Sequence, residues 1–304
     1  MMCSCRISSV FPAWLKTQTG LGFLCLSEAE ISGNVPTLFW NLSSNHLRFL
    51  NISHNNLSGI LPTLQHSSVE FIDMSHNKFE GLIPDWNSSG LNIIDLRNNS
   101  LFGPIPLSFA SANQIQVLSL SHNHINGSIP FFLCNLTILK ALDLSSNNMS
   151  GELPHCWNQS SLLAIIDLSN NNFFGSIPEA IVFVTNLQSL HLQKNSLSGN
   201  LPLSLKNAKK LVVLDIGENR LSGTIPSWIG SVVSLVVLRL RSNLFEGLIP
   251  EQLLKLSSLR VLDLAQNNLS GVIFPHTFGG FKAMVTSHSE KSQLLISQYD
   301  QAFW

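Results

Sequence analysis

"LKALDLSSNNMSGELP", residues 139–154, places leucines at Leu139, Leu142 and Leu144, then Asn147, Met149, Gly151 and a closing Leu153-Pro154. Advanced by 24 residues, the same frame reads "LLAIIDLSNNNFFGSIP", and advanced again it reads "LQSLHLQKNSLSGNLP". A motif that recurs at a fixed period of this length describes stacked copies of one small unit, and it must be read before any domain count is made.

The template is LxxLxLxxNxLxGxIP. Its Asn column runs Asn55, Asn77, Asn99, Asn123, Asn147, Asn171, Asn195, Asn219, Asn243 and Asn267, with Ala29 and Cys5 in the same column upstream. From Cys5 the steps are 24, 26, 22 and 22, then 24 seven times, which makes twelve copies with the first lacking its leucine run. The LxL alternation puts apolar side chains on one face of a short strand and the intervening residues on the other. One such strand cannot bury its apolar face alone, so copies stack at about 4.8 Å and share a continuous core. The Asn turns the chain, and its amide can bond backbone groups that the turn leaves unpaired. The Gly permits close backbone approach, and the Pro ends a second short strand because it cannot donate a ladder bond. The expected architecture is an α/β solenoid. It has a concave parallel sheet about 50 Å long over eleven complete copies, with short convex strands and 3-10 or helical returns. The array is read over residues 1–275, and residues 276–304 form a non-repeat tail.

Composition removes several classes of function. Charged residues make up 12%, against an ordinary share of about 25%, and the formal net charge is −1. No basic excess exists to neutralise phosphates, which argues against nucleic-acid binding. The longest apolar runs, such as Leu211–Leu214, fall far short of the ~20 residues that span a bilayer. Pro12, Lys16 and Gly20 interrupt the first 25 residues, so no signal peptide is read there. The five cysteines, Cys3, Cys5, Cys25, Cys134 and Cys156, contain no CxxC pair, so neither a zinc site nor any cofactor is expected.

At this period the template resembles the plant-specific class of leucine-rich repeat. The segments "FPAWLKTQTGLGFLCLSEAEISGNVPTLFWNLSSN" (11–45) and "HTFGGFKAMVTSHSEKSQ" (276–293) resemble plant receptor-like proteins in particular, the second at the start of their non-repeat island. The resemblance covers residues 1 to about 290. It implies an internal segment of a larger receptor, cut at both ends, whose parent sits in the plasma membrane and faces the cell wall. It implies a peptide, protein or glycan ligand in defence or development. It also implies a co-receptor or adaptor kinase, because such receptors carry no kinase of their own. Two other readings are carried: a secreted leucine-rich-repeat inhibitor of microbial cell-wall-degrading enzymes, and a truncated gene product without function. Without capping repeats, the segment near Met1–Pro12 and the strand around Leu262–Leu264 are expected to expose apolar groups and unpaired backbone.

Specificity in such an array is read from the concave positions. From the eighth copy on these depart from the stock Asp: His191, Lys194, Asp215, Glu218, Arg239, Arg241 and Asp263 face one hollow. They constitute either a ligand-docking patch or a set of solvated ion pairs worth little energy. His54, His76 and His122 precede the ladder Asn and are read as surface residues of an ordinary SHN variant, without metal. No convergent acid–base pair in an apolar pocket is present, so no enzyme is expected. Trp14, Trp40, Trp86, Trp157 and Trp228 fall shortly after a repeat Pro and are assigned to packing on the convex return. Cys134 and Cys156, 22 residues apart, become backbone neighbours on that side, as a disulfide or as adjacent thiols; the resemblance favours the bond. Ten Asn-x-Ser/Thr sequons occur, at Asn41, Asn51, Asn56, Asn87, Asn98, Asn126, Asn135, Asn148, Asn158 and Asn268. A glycan on Asn51 would stand on the concave face.

Overall fold

The architecture is that of a computed structural model. It describes residues 9–271 apart from 38, 41–45, 65–67, 87–88 and 158–161, together with residues 3, 5 and 281–285. Most of the expected tail, and the sequons at Asn41, Asn87 and Asn158, lie outside the described residues.

Two parallel sheets of eleven strands each run the length of the array in strict sequence order. The first sheet is made of three-residue strands, from Phe23–Cys25 to Val261–Asp263. Each strand is the xLx at the heart of LxxLxL, as in Ala141–Asp143. Its register is exact from copy to copy: Ala141, Leu142 and Asp143 face Ile165, Ile166 and Asp167. The central leucine of each triplet points inward, and Leu142, Leu190, Leu214 and Leu238 are at most 1% exposed. Burying one such side chain stabilises by about 1.5–3 kcal/mol, and the repeat does so several times in every copy. The second sheet, from Ser32–Asn34 to Asn268–Ser270, is built from the NxLxG segments.

Returns between the sheets are single 3-10 turns such as Leu107–Ser111, Phe131–Asn135 and Leu203–Asn207. Each opens on the repeat Pro, whose φ of −61° to −66° at Pro106, Pro130 and Pro202 suits a helix start. The tryptophans follow this side: Trp86 and Trp157 are fully buried against the returns, and Trp86 Nε1 donates to the carbonyl of Pro62 at 2.7 Å. Trp14 departs from that pattern and stands 46% exposed.

The ladder asparagines are the main polar glue. Asn147 Oδ1 accepts from Ile125 N at 2.9 Å, and Nδ2 donates to the carbonyls of Leu120, Leu144 and Ser145 at 2.9, 3.1 and 3.1 Å. One side chain therefore joins its own turn to the backbone of the preceding copy. The repeat glycines share a left-handed backbone, with φ between 75° and 101°. Gly103 has φ 83° and lies beneath the side chain of Leu82 from the copy before, not against another backbone. A left-handed backbone strains any residue that carries a Cβ, and the Leu82 side chain would also have to shift to admit one.

Cys134 and Cys156 form a disulfide with Cα atoms 5.5 Å apart. A second bridge, Cys3–Cys25, joins the first copy to the second with Cα atoms 5.1 Å apart. Cys5 is an exposed thiol. At the last described strands Leu262 and Leu264 are only half-buried, whereas Leu238 and Leu240 one copy earlier are fully buried.

Candidate functional site

Each copy presents to the concave side the residues that flank the buried leucine of its strand, together with those just before the ladder Asn. The column that reads Asn51, Asp73, Asp95, Ser119, Asp143, Asp167, His191, Asp215, Arg239 and Asp263 stands in register on successive strands. Its carboxylates are not free to greet a ligand on equal terms. Asp143 Oδ1 accepts from Ser145 N at 3.0 Å and from Ser145 Oγ at 2.7 Å. Asp73 and Asp167 make the same pair of bonds to Ser75 and Ser169. Asn51 does so too, to Ser53. One oxygen of each thus closes a local side-chain turn.

The seven residues expected to dock a ligand differ in burial and partners. Asp215 is 5% exposed and structural; Oδ1 accepts from Gly217 N at 3.2 Å and Oδ2 from Arg239 at 3.1 Å. Asp263 pairs with Arg241 at 2.9 Å, not with Arg239. Burial alone would raise the Asp263 carboxyl, but the Arg241 hydrogen bond, the Ala265 N–H and the charges of Arg241 and Arg239 together hold the group below its ordinary value. His191 is half-buried and shares a 2.7 Å hydrogen bond with Ser189 Oγ. Lys194 and Glu218 are exposed, sit at φ 57° and 52°, and make no side-chain hydrogen bond or ion pair among the described residues. Arg239 and Arg241 keep side chains 49% and 45% exposed despite their partners. Exposed pairs of this kind contribute about 0–1 kcal/mol, so their charge remains available to a partner.

A second concentration of polar groups lies nearer the N-terminus, among the histidines of the SHN variant and the stock Asp column. A hollow of about 490 Å³ is lined by residues that include His54, His76, Arg97, His122, Asp143 and Asp167. The rings of His54 and His76 stack at 4.0 Å. Burial first, then the neighbouring His54, lowers the His76 imidazole below its ordinary value. Arg97, 7% exposed, lies 3.5 Å from Asp95. Burial raises the Asp95 carboxyl to about 7 in spite of that arginine. On the first three strands of the same sheet, Phe23, Phe49 and Phe71 stack in a row with centroids 4.1 and 4.3 Å apart. The cue for these groups is in the sequence, where three neighbouring copies carry Phe at one concave position.

Of the seven described sequon asparagines, Asn56, Asn126, Asn135, Asn148 and Asn268 are exposed, while Asn51 and Asn98 are half-buried on the concave side. Asn98 Nδ2 lies 3.2 Å from the ring nitrogens of His76 and lines the hollow.

Comparison with known proteins agrees with this geometry. The leucine-rich-repeat family models match eight successive segments from residue 46 to 232 and a further segment at 233–286. The chain therefore belongs to the leucine-rich-repeat family, and its repeats are those of a plant receptor-like protein. It is 46% identical over 56 residues to receptor-like protein 47 of Arabidopsis thaliana, an alignment that covers 18% of this chain and 7% of that protein. Receptor-like protein 54 of the same plant is 32% identical over 136 residues, covering 44% and 17%. Among solved structures, a TDR receptor superposes with a TM-score of 0.83 at 32% identity, over 91% of this chain and 48% of that one. The Arabidopsis receptor kinase HAESA, solved with the peptide hormone IDA and the co-receptor SERK1, gives 0.79 at 32% identity, over 93% and 51%. The chain spans about half the length of these receptor ectodomains and aligns with a small fraction of its curated relatives. Among the described residues, no helix is long and apolar enough to cross a membrane.

Proposed function

We propose that this chain is a ligand-binding stretch of the extracellular part of a plasma-membrane receptor-like protein that lacks a kinase and acts in defence or development through a partner kinase. The role is recognition, not catalysis. The observation that carries this reading is the exposed charged arc of Lys194, Glu218, Arg239 and Arg241 on an uninterrupted concave sheet. Solenoids use such surfaces to bind extended partners. The likeness to ectodomains solved with peptide hormones supports a peptide ligand, and the HAESA complex supports a co-receptor kinase as the second partner. A peptide laid across successive strands would meet alternating positive and negative groups at strand spacing, which sets its register and direction more than its affinity.

The test is a panel of synthetic secreted-peptide sequences titrated against the full chain and against Lys194→Ala/Glu218→Ala/Arg239→Ala/Arg241→Ala. The expected result is at least one binder whose affinity falls about tenfold or more in the variant, a difference of about 1.4 kcal/mol. A panel without binders, or binders indifferent to all four substitutions, contradicts the proposal.

A further inference from the structure

We infer that Asn51 carries an N-linked glycan whose first sugars lie on the phenylalanine row of the concave face. The N-terminal strands are then covered by the protein's own sugar and not by a ligand. The inference rests on the reading of this chain as extracellular and adds to it a modified residue and a covered surface.

Strand Phe49–Asn51 turns Leu50 into the core and leaves Phe49 and Asn51 half-buried on the concave side. Two residues apart on one face of a strand, their Cα atoms are separated by about 6.6 Å. Phe49 is the middle ring of the row, with Phe23 and Phe71 stacked on its two sides, and Phe23 is 42% exposed. Because its neighbours cover both faces of Phe49, the row offers ring edges, which are apolar and weakly positive. That surface suits the acetamide methyl and carbonyl of N-acetylglucosamine. Among the described sequons Asn51 alone has a phenylalanine two places before it. The flanking residues of its column, Cys25 and Asp73, are engaged in a disulfide and in a serine turn. A sugar tethered this close to the row has an effective concentration of about millimolar or more, which favours it over a free ligand.

The local turn leaves the amide of Asn51 ready for that bond. Oδ1 accepts from Ser53 N at 3.0 Å and from Ser53 Oγ at 2.7 Å. Nδ2 makes no hydrogen bond among the described residues and is open to water. Attachment uses Nδ2 alone. It attacks C1 of the reducing-end N-acetylglucosamine of a lipid-diphosphate-linked oligosaccharide, supplied with its transferase by the secretory pathway. The C1–O bond breaks, the lipid diphosphate leaves with the electron pair, and Nδ2 gives up one of its two protons. The turn therefore survives modification intact. Asn98, the other concave sequon, differs, because its Nδ2 lies 3.2 Å from the ring nitrogens of His76 and a glycan there would displace that contact.

The test uses the full chain secreted from insect cells behind a supplied signal sequence and fed ring-labelled phenylalanine. Glycopeptide mass spectrometry is expected to find Asn51 occupied in most molecules. Nuclear Overhauser contacts are expected between acetamide methyl protons and the labelled rings, and their loss in Asn51→Gln. Phe49→Leu/Phe71→Leu should keep the glycan and free it, so that its sugar signals sharpen. Aliphatic residues already fill that column at Ile93 and Val117. An Asn51 left bare overturns the inference, and so do an occupied Asn51 without ring contacts and contacts that persist in Asn51→Gln. None of these outcomes touches the ligand role, which the peptide panel judges. A panel without binders, beside an Asn51 glycan in contact with the row, removes the ligand role and leaves the covered row standing.

Discussion

Asn147 and Asn148 are adjacent, identical in type and opposite in consequence. The first is 7% exposed and bonded four times into two copies, while the second is exposed on the flank. Asn147→Ala would strand Ile125 N, at about 1–3 kcal/mol, while Leu120 O keeps the bond from Asn123 Nδ2. Asn148→Ala should stay within about 0.5 kcal/mol. Urea denaturation of both variants measures the contrast, and equal losses would mean that the ladder is not the polar glue. The ladder is legible in the sequence because its period is unmistakable. The duty of the Asp column is less so, since a residue that alternates with leucines reads as simply outward-facing. The clue was the serine two places on, in Asp73-Met74-Ser75, Asp143-Leu144-Ser145 and Asp167-Leu168-Ser169, which together with the acid spells a turn.

Between elements, the copies are joined by more than the sheets. Glu179, at the start of one 3-10 turn, accepts from Leu203 N and Ser204 N of the next at 3.0 and 2.8 Å. The Cys134–Cys156 bridge ties two neighbouring returns across a sequence separation of 22. Closing a loop of that size stabilises by about 3 kcal/mol where the chain-entropy account holds. Cys134→Ala/Cys156→Ala should therefore melt several degrees below the parent chain under oxidising conditions. Differential scanning calorimetry would show this, and an unchanged melting temperature would count against a formed bond. The second bridge, Cys3–Cys25, has the same separation of 22. It escapes a sequence reading because the first copy lacks the leucines that would set its frame. The same spacing at Cys134 and Cys156 was the available signal.

Over the whole molecule, charge placement sets the response to pH. Burial raises the folded Asp95 carboxyl to about 7 from an ordinary 3.8. A carboxyl raised on folding contributes stability that is complete below the unfolded value and is lost as pH climbs through the folded one. Asp167, also raised by burial, acts in the same direction. His76, lowered by burial from 6.5, opposes them only near and below that value. The melting temperature should therefore fall as pH rises from about 4 to about 7, at up to about 1.4 kcal/mol per pH unit for Asp95. Asp95→Asn/Arg97→Ser, which recreates the Asn51-Ile52-Ser53 pattern, should flatten that slope. A slope that persists in this variant would remove Asp95 as its source. The hollow behind this behaviour is not legible in sequence, because its walls come from six copies and meet only once the strands are in register. The C-terminal arc is legible, because His191, Lys194, Glu218 and Arg239 break with the stock residues of their columns.

The central claim is that the concave sheet is the recognition surface. It is tested most directly by hydrogen–deuterium exchange of the full chain with and without a peptide that binds it. Protection confined to the strands and turns between Asp143 and Gln266 on the concave side is the predicted footprint. Protection along the 3-10 returns, with the concave strands unaffected, would contradict it.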